Sequence, residues 1–189
     1  MAEIDRSKIE QAVRMILEGI GDDPDRAGVV DTPRRVADMY GEIFEGVGVD
    51  PTPVATVVPG ANFDEMIMVK DIPMQSLCEH HLLPFTGVAH VAYLPGARIV
   101  GLSKLARVVE LYARRLQVQE RMTTQIAEWL EAELQPQGVG VVVEAEHLCM
   151  TVRGVRKPGA RTITSAVRGM LRRDPRTRAE FLALVRGTG

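Results

Sequence analysis

The order of apolar and polar positions divides the chain into segments with two different periods. Near the start, Ile9, Val13, Ile16, Leu17 and Ile20 recur at helical spacing. Ser7 followed by Glu10 forms a capping-box pattern at the head of this helix, and Gly21 to Asp25 breaks it. A second helix is expected from Thr32-Pro33, with proline in its first turn and an apolar face of Val36, Tyr40, Ile43 and Phe44; Gly46 ends it. Pro51, Pro53, Pro59 and Gly60 then form an irregular connection. The expected organisation is an N-terminal helical appendage over residues 1–60 and a main domain over residues 61–189.

The main domain reads strands, helices, strands. Met66 to Val69 and Ile72 to Leu77 have extended character. Gly87 to Leu94 alternates as a strand and turns at Pro95-Gly96 into Arg98 to Gly101. Leu102 to Leu134 is helical, with one apolar face at Leu105, Val108, Val109 and Tyr112 and another at Met122, Ile126, Trp129, Leu130 and Leu134. These faces do not join across Leu116 to Glu120, so two helices with a break are expected. Pro136 and Gly138 stop the helical region. Val139 to Val152 reads as one long strand, Arg161 to Arg168 as another, and Asp174-Pro175 caps a last helix ending near Arg186. The resulting order is ββααββ: an α+β fold with an antiparallel sheet and helices on one face.

Composition narrows the setting. With 46% hydrophobic and 25% charged residues, the chain is an ordinary globular protein; aromatics are only 4%, so aliphatic residues and methionine must fill the core. No apolar run reaches membrane-spanning length, and the charged first ten residues lack a signal-peptide core, so the expected location is cytoplasmic, with no membrane partner. The net charge of −2 hides an asymmetry: residues 151–189 hold ten Lys/Arg against two Asp/Glu. A basic stretch there suits an anionic ligand or a solvated tail. The mild overall acidity and the lack of aromatics among the basic residues argue against nucleic acid.

Both cysteines and three of the four histidines lie in two short clusters, Cys78-Glu79-His80-His81 and His147-Leu148-Cys149. Thiolate and imidazole are preferred zinc ligands, and a catalytic zinc needs three protein ligands and one open position. Cys78, His81 and Cys149 could supply the three, leaving His80 and His147 as proton-transfer groups. On a continuous strand, His147 and Cys149 would share a face, as would Arg153 by parity. A fourth ligand could be His80 or His147, so spacing leaves a structural site open. His90, alternating with apolar residues, reads as structural. Gln117-Val118-Gln119-Glu120-Arg121 could read a heterocycle edge or be a solvated turn. Ser103-Lys104 with Arg107 could hold a phosphate at a helix start or be surface charge.

Taken together these segments resemble GTP cyclohydrolase I of the zinc-dependent type. The matching stretches are Thr32-Pro33-Arg34-Arg35-Val36, Cys78-Glu79-His80-His81, His90-Val91-Ala92-Tyr93, Gly101-Leu102-Ser103-Lys104, Gln117 to Arg121, His147-Leu148-Cys149-Met150, Arg153-Gly154-Val155-Arg156 and Thr162 to Ser165. The resemblance implies the tunnelling fold (T-fold), two five-membered rings stacked as a homodecamer, and active sites between subunits. It implies a hydrolase of cyclic amidine C–N bonds. GTP and water would give 7,8-dihydroneopterin 3'-triphosphate and formate, the first step of tetrahydrofolate and pterin synthesis. By resemblance, one Zn²⁺ per subunit is held by Cys78, His81 and Cys149. His80 and His147 move protons, and Ser103 assists near the ribose and phosphates. Gln119 and Glu120 read guanine, and Lys104, Arg107, Arg153 and Arg35 bind the triphosphate. Two other readings fit the same residues: another enzyme of the same fold acting on a different purine or pterin, and a zinc-stabilised interaction module without turnover. Cysteines meeting at one site are also expected to oxidise to a disulfide when metal is absent.

Overall fold

A computed structural model of the chain describes residues 4–54, 57–59 and 63–187. The chain divides into two compact units, Met1–Val49 and Asp50–Gly189.

The first unit is a pair of helices, α1 (Arg6–Gly19) and α2 (Thr32–Ile43). The helix head expected at Ser7 lies two residues earlier. Asp5 is the N-cap, and its carboxylate accepts the Lys8 N–H at 2.9 Å, which satisfies one of the orphan donors of the first turn. Arg6 of α1 donates to the Asp38 carboxylate of α2, tying the two helices together, and Arg34 of α2 donates to the same carboxylate.

In the second unit β1 (Val57–Pro59) precedes the long strand β2 (Ile67–Cys78), then β3 (Pro84–Leu94) and β4 (Arg98–Val100). The two extended pieces read at 66–77 are one strand interrupted by a bulge at Val69/Ile72, where Asp71 takes a positive φ of 56°. β4 does not join the main sheet; it pairs with β1, a partner hidden in the proline-rich connection. Next come α3 (Leu102–Ala113), the two-residue β5 (Leu116–Gln117) and α4 (Gln119–Leu134). The break between the two helical faces thus becomes a short strand, parallel to the end of β2. β6 (Gly138–His147), α5 (Leu148–Thr151), β7 (Arg161–Arg168), α6 (Gly169–Arg173) and α7 (Pro175–Arg186) complete the chain.

The main sheet runs β5-β2-β3-β6-β7, antiparallel apart from β5. Alternation decides what each face covers. Val91, Val139, Val141 and Val143 pack with Leu105, Val109, Met122, Ile126 and Leu130 of α3 and α4 into the larger core. The opposite face contributes Ala92 and Val142 to a smaller cluster with Leu171 of α6 and Phe181 of α7. The α+β class and the ββααββ order of β2-β3-α3-α4-β6-β7 therefore hold. The structure adds that the C-terminal helices pack on the second face. Gly140 makes that possible: a Cβ there would stand 2.7 Å from Leu171 Cδ2 and 2.8 Å from Phe181 Cζ.

The strand expected over Val139–Val152 stops at His147, which corrects the reading that put His147, Cys149 and Arg153 on one strand face. The reason lies in the partner strand. Phe85↔His147 is the last pair of the β3–β6 ladder. Past it the backbone finds no cross-strand partner and closes locally, with the Val152 N–H donating to the Leu148 carbonyl at 3.0 Å.

Candidate metal centre and active site

The strand ends β2 and β6 deliver the two clusters to one place. β2 finishes at Cys78 beside Gln117 of β5. The chain then folds into a tight turn: the Cys78 carbonyl accepts from the N–H groups of His81 (3.3 Å) and Leu82 (2.9 Å), and the Cys78 N–H donates to Leu83 O at 2.9 Å. Leu82 takes a positive φ of 54° to complete the reversal. Cys-x-x-His spacing on such a turn aims both side chains at one volume. Across the sheet, the helical turn α5 brings Cys149 back towards it.

The result is a three-residue group. The ligand atoms of Cys78, His81 and Cys149 all lie within 4.8 Å of one another. Cys78 is buried, Cys149 half-buried and His81 exposed. Two thiols and an imidazole at this spacing form a donor set that suits zinc, and the exposed side leaves room for a fourth ligand from solvent. His81 Nδ1 lies 3.7 Å from the Cys78 sulfur, while Nη1 of Arg153 donates to His81 Nε2 at 2.8 Å. His81 could offer a metal either ring nitrogen: Nε2, which now faces Arg153, or Nδ1, which now faces the Cys78 sulfur. Burial, reinforced by the neighbouring Cys78, pushes the Cys149 thiol above its ordinary value, and Arg153 opposes it. Two adjacent thiols resist ionising together unless a cation compensates them.

His80 is largely exposed, with Nδ1 3.8 Å from Cys78 Sγ. Its neighbour Glu79 pairs with Arg121, which also donates to the Gln117 side chain (3.1 Å) and the Leu116 carbonyl (3.2 Å). The Glu79 N–H donates to Gln117 O at 3.0 Å. The turn that carries Cys78 and His81 is thereby fastened to the connection between α3 and α4. Arg121 holds the Glu79 carboxyl below the usual carboxylate range. Sequence reading placed Glu79 and Arg121 inside motifs but gave neither a task.

His147 is half-buried. Its ring stacks on Phe85, with centroids 4.6 Å apart and planes 6° from parallel. Nε2 lies 2.7 Å from Gln119 Oε1. Burial lowers its pKa from the ordinary histidine value, with the Glu120 carboxylate opposing. Phe85 carries no motif signal; only its register opposite His147 reveals it.

Gln119, expected at a guanine edge, is only 1% exposed. Its amide nitrogen reaches the Val143 carbonyl (3.0 Å), the Thr162 carbonyl (3.0 Å) and Thr164 Oγ1 (3.1 Å). Donors and acceptor are thus engaged inside the protein. Glu120 sits one residue on, exposed in the first turn of α4. Ser103, Lys104 and Arg107 lie on the first turns of α3, with Ser103 and Arg107 exposed. Among the described residues, none of these three shares a hydrogen bond or ion pair with the Cys/His group. Arg35 belongs to the first unit, where it pairs with Asp31 at 3.3 Å. His90 is buried and accepts the Asp71 N–H on Nδ1 at 3.2 Å, in line with its structural reading. No described helix is long and apolar enough to cross a membrane.

Known proteins give this geometry a family. Residues 9–186 match the family model described as GTP cyclohydrolase I. GTP cyclohydrolase 1 of Brevibacillus brevis is 59% identical over 187 residues, covering 98% of this chain and 100% of that protein. The same-named protein of Bacillus cytotoxicus is 57% identical, covering 98% and 99%. Among solved structures, the archaeosine synthase QueF-Like in the apo form resembles 55% of this chain and 93% of its own, with a TM-score of 0.46 at 18% identity. A family match across nearly the whole chain, with relatives of this identity at full length, means that the chain belongs to the GTP cyclohydrolase I family.

Proposed function

We infer that this protein carries out the reaction for which its family is named. It opens the imidazole ring of GTP, releases formate and rearranges the remainder to 7,8-dihydroneopterin 3'-triphosphate, the entry to folate and pterin synthesis. The observation that carries this reading is the convergence of Cys78, His81 and Cys149 within 4.8 Å, in a chain of that family.

The donor set fits one zinc per chain, held by those three residues. When bound, zinc supplies Lewis-acid activation of water at neutral pH. The protein's own residues do the rest. Adding water to guanine C8, opening the ring and expelling formate each require a proton to change place. His80, exposed beside the Cys78 sulfur, and His147, wedged against Phe85, are the imidazoles at hand. A lowered pKa keeps His147 neutral at pH 7 and ready to accept a proton. Ser103 is assigned to the ribose rearrangement.

Glu120 is the guanine reader in this account. A carboxylate accepts from N1–H and the 2-amino group together, an edge that adenine does not offer. Lys104, Arg107, Arg153 and Arg35 hold the triphosphate; Arg153 stands beside the Cys/His group, its Nη1 2.8 Å from His81 Nε2. Catalysis is assigned to residues 61–189, with 1–60 appended. The homodecamer is part of the same reading, and the outer edge of β7 supports it. Eight residues long, β7 pairs only with β6 among the described residues, and its Ile163 is 65% exposed. Such an edge invites pairing with another chain.

Metal analysis and turnover together test the reading. Purified protein should hold one zinc per chain, and Cys149→Ser should lose both zinc and GTP turnover. Turnover that survives removal of the metal would sink it.

A further inference from the structure

Gln119 is buried at the head of α4, and the chemistry around it fixes where its atoms lie. Two of the three atoms facing its nitrogen are the carbonyl oxygens of Val143 and Thr162, which can only accept. The nitrogen must therefore be on that side, and the amide oxygen must face His147. Threonine hydroxyls extend the order. Thr123 Oγ1 donates to the Gln119 main-chain carbonyl at 2.7 Å, so towards Thr164, also at 2.7 Å, it can only accept. Thr164 spends its hydrogen on Thr123 and offers a lone pair to the Gln119 amide at 3.1 Å. Every hydrogen from Thr164 to Gln119 has one consistent position.

An amide oxygen cannot donate. The ring nitrogen 2.7 Å from it, His147 Nε2, must carry a hydrogen. We propose that Gln119 is a positioning residue. Anchored to β6 and β7, it holds His147 as the Nε2–H tautomer against the face of Phe85, so that Nδ1 is the nitrogen through which His147 exchanges protons with substrate. This rests on the reading of His147 as a proton-transfer group and deepens it. It also moves Gln119 away from the guanine edge: its two N–H groups already serve three acceptors, and its oxygen serves the imidazole.

Tautomers are read directly by ¹⁵N spectroscopy. Zinc-loaded protein labelled with ¹⁵N-histidine would be measured by magic-angle spinning at pH 8, with His147 assigned by the signals lost in His147→Gln. The expected result is a protonated Nε2 and an unprotonated Nδ1. A protonated Nδ1 in the unsubstituted protein overturns the proposal with no variant needed. In Gln119→Leu the fixed tautomer should give way to a mixture. At the same time kcat should fall at least tenfold, and by no more than the about 10²–10⁴-fold that a positioned acid–base group contributes in all, while KM for GTP stays within about twofold. A raised KM with kcat held would mean that Gln119 reads the base after all. An unchanged tautomer in Gln119→Leu would remove its positioning role. The expected tautomer in a protein that does not turn over GTP would sink the parent reading and the proton exchange with it, leaving only the tautomer that Gln119 imposes.

Discussion

Phe85→Leu separates the catalytic geometry from the general stability of the core. Phe85 is fully buried at the start of β3, and its ring lies parallel to His147 at 4.6 Å. Complete truncation of a buried phenylalanine costs about 3–5 kcal/mol. Leucine keeps much of the apolar volume but none of the flat face, and the stacked pair itself is worth about 0.5–1.5 kcal/mol. A net loss of about 1–2 kcal/mol follows, a fall of roughly 2–8 °C in Tm for a chain of this size. The activity should fall by more than stability explains. Without the wall, the imidazole keeps its bond to Gln119 but is free to rotate about it. The control is Ile126→Val, fully buried in the same core two turns along α4 from Gln119, at about 0.5–1.5 kcal/mol. Thermal unfolding and steady-state kinetics on both variants make the comparison. Phe85→Leu should lose kcat at nearly constant KM, and Ile126→Val should keep both. Equal kcat in the two variants would refute the idea that the ring face holds His147.

Other outcomes follow from the same geometry. Replacing His80 by Ser should leave zinc bound and abolish product; loss of the metal would make His80 a ligand instead. Arg121→Leu should weaken zinc binding by loosening the turn that carries Cys78 and His81, by no more than the about 10–100-fold lost when a ligand's own partner is removed, with little effect on folding because the Glu79–Arg121 pair is partly exposed. Competition with a chromophoric chelator reads this, and an unchanged affinity would free the turn from its latch. Burial lowers the pKa of His90, with Asp71 and Glu144 opposing and Lys70 assisting. The unfolded chain therefore binds its proton first as pH falls below about 6.5, and stability present above that value is lost on acidification. His90→Gln should flatten the dependence of unfolding free energy on pH between about 5 and 7; an unaltered slope would contradict the assignment.

Much of this was legible in the chain because period and punctuation agree where elements pack on one face. The helix break at Leu116–Glu120 showed as two faces out of phase, and it is the short β5. Arg161–Arg168 was readable to the residue, since glycine, proline and alternation bound it. The failures have physical causes. Leu148 to Val152 continues an apolar pattern that either period accommodates, and only the end of the β3 ladder decides for a helical turn. The five-residue α6 is too short to show a period. The Cys/His group was visible as scarce residue types gathered in two clusters. Phe85 and Thr164 were not, because their tasks arise from register across strands, and a single sequence carries no trace of which residue faces which. Gln119 was found as a candidate, but nothing local says that this amide is buried and its glutamate neighbour exposed.

This Cys/His group is expected to work on GTP. Zinc-loaded protein incubated with GTP, beside a chelated sample and an ATP sample, would be followed for formate and for the absorbance of the pterin. The account predicts formate and dihydroneopterin triphosphate from GTP alone, and only with metal present. No reaction from protein with zinc bound and its assembly intact, or equal turnover of ATP, would contradict it.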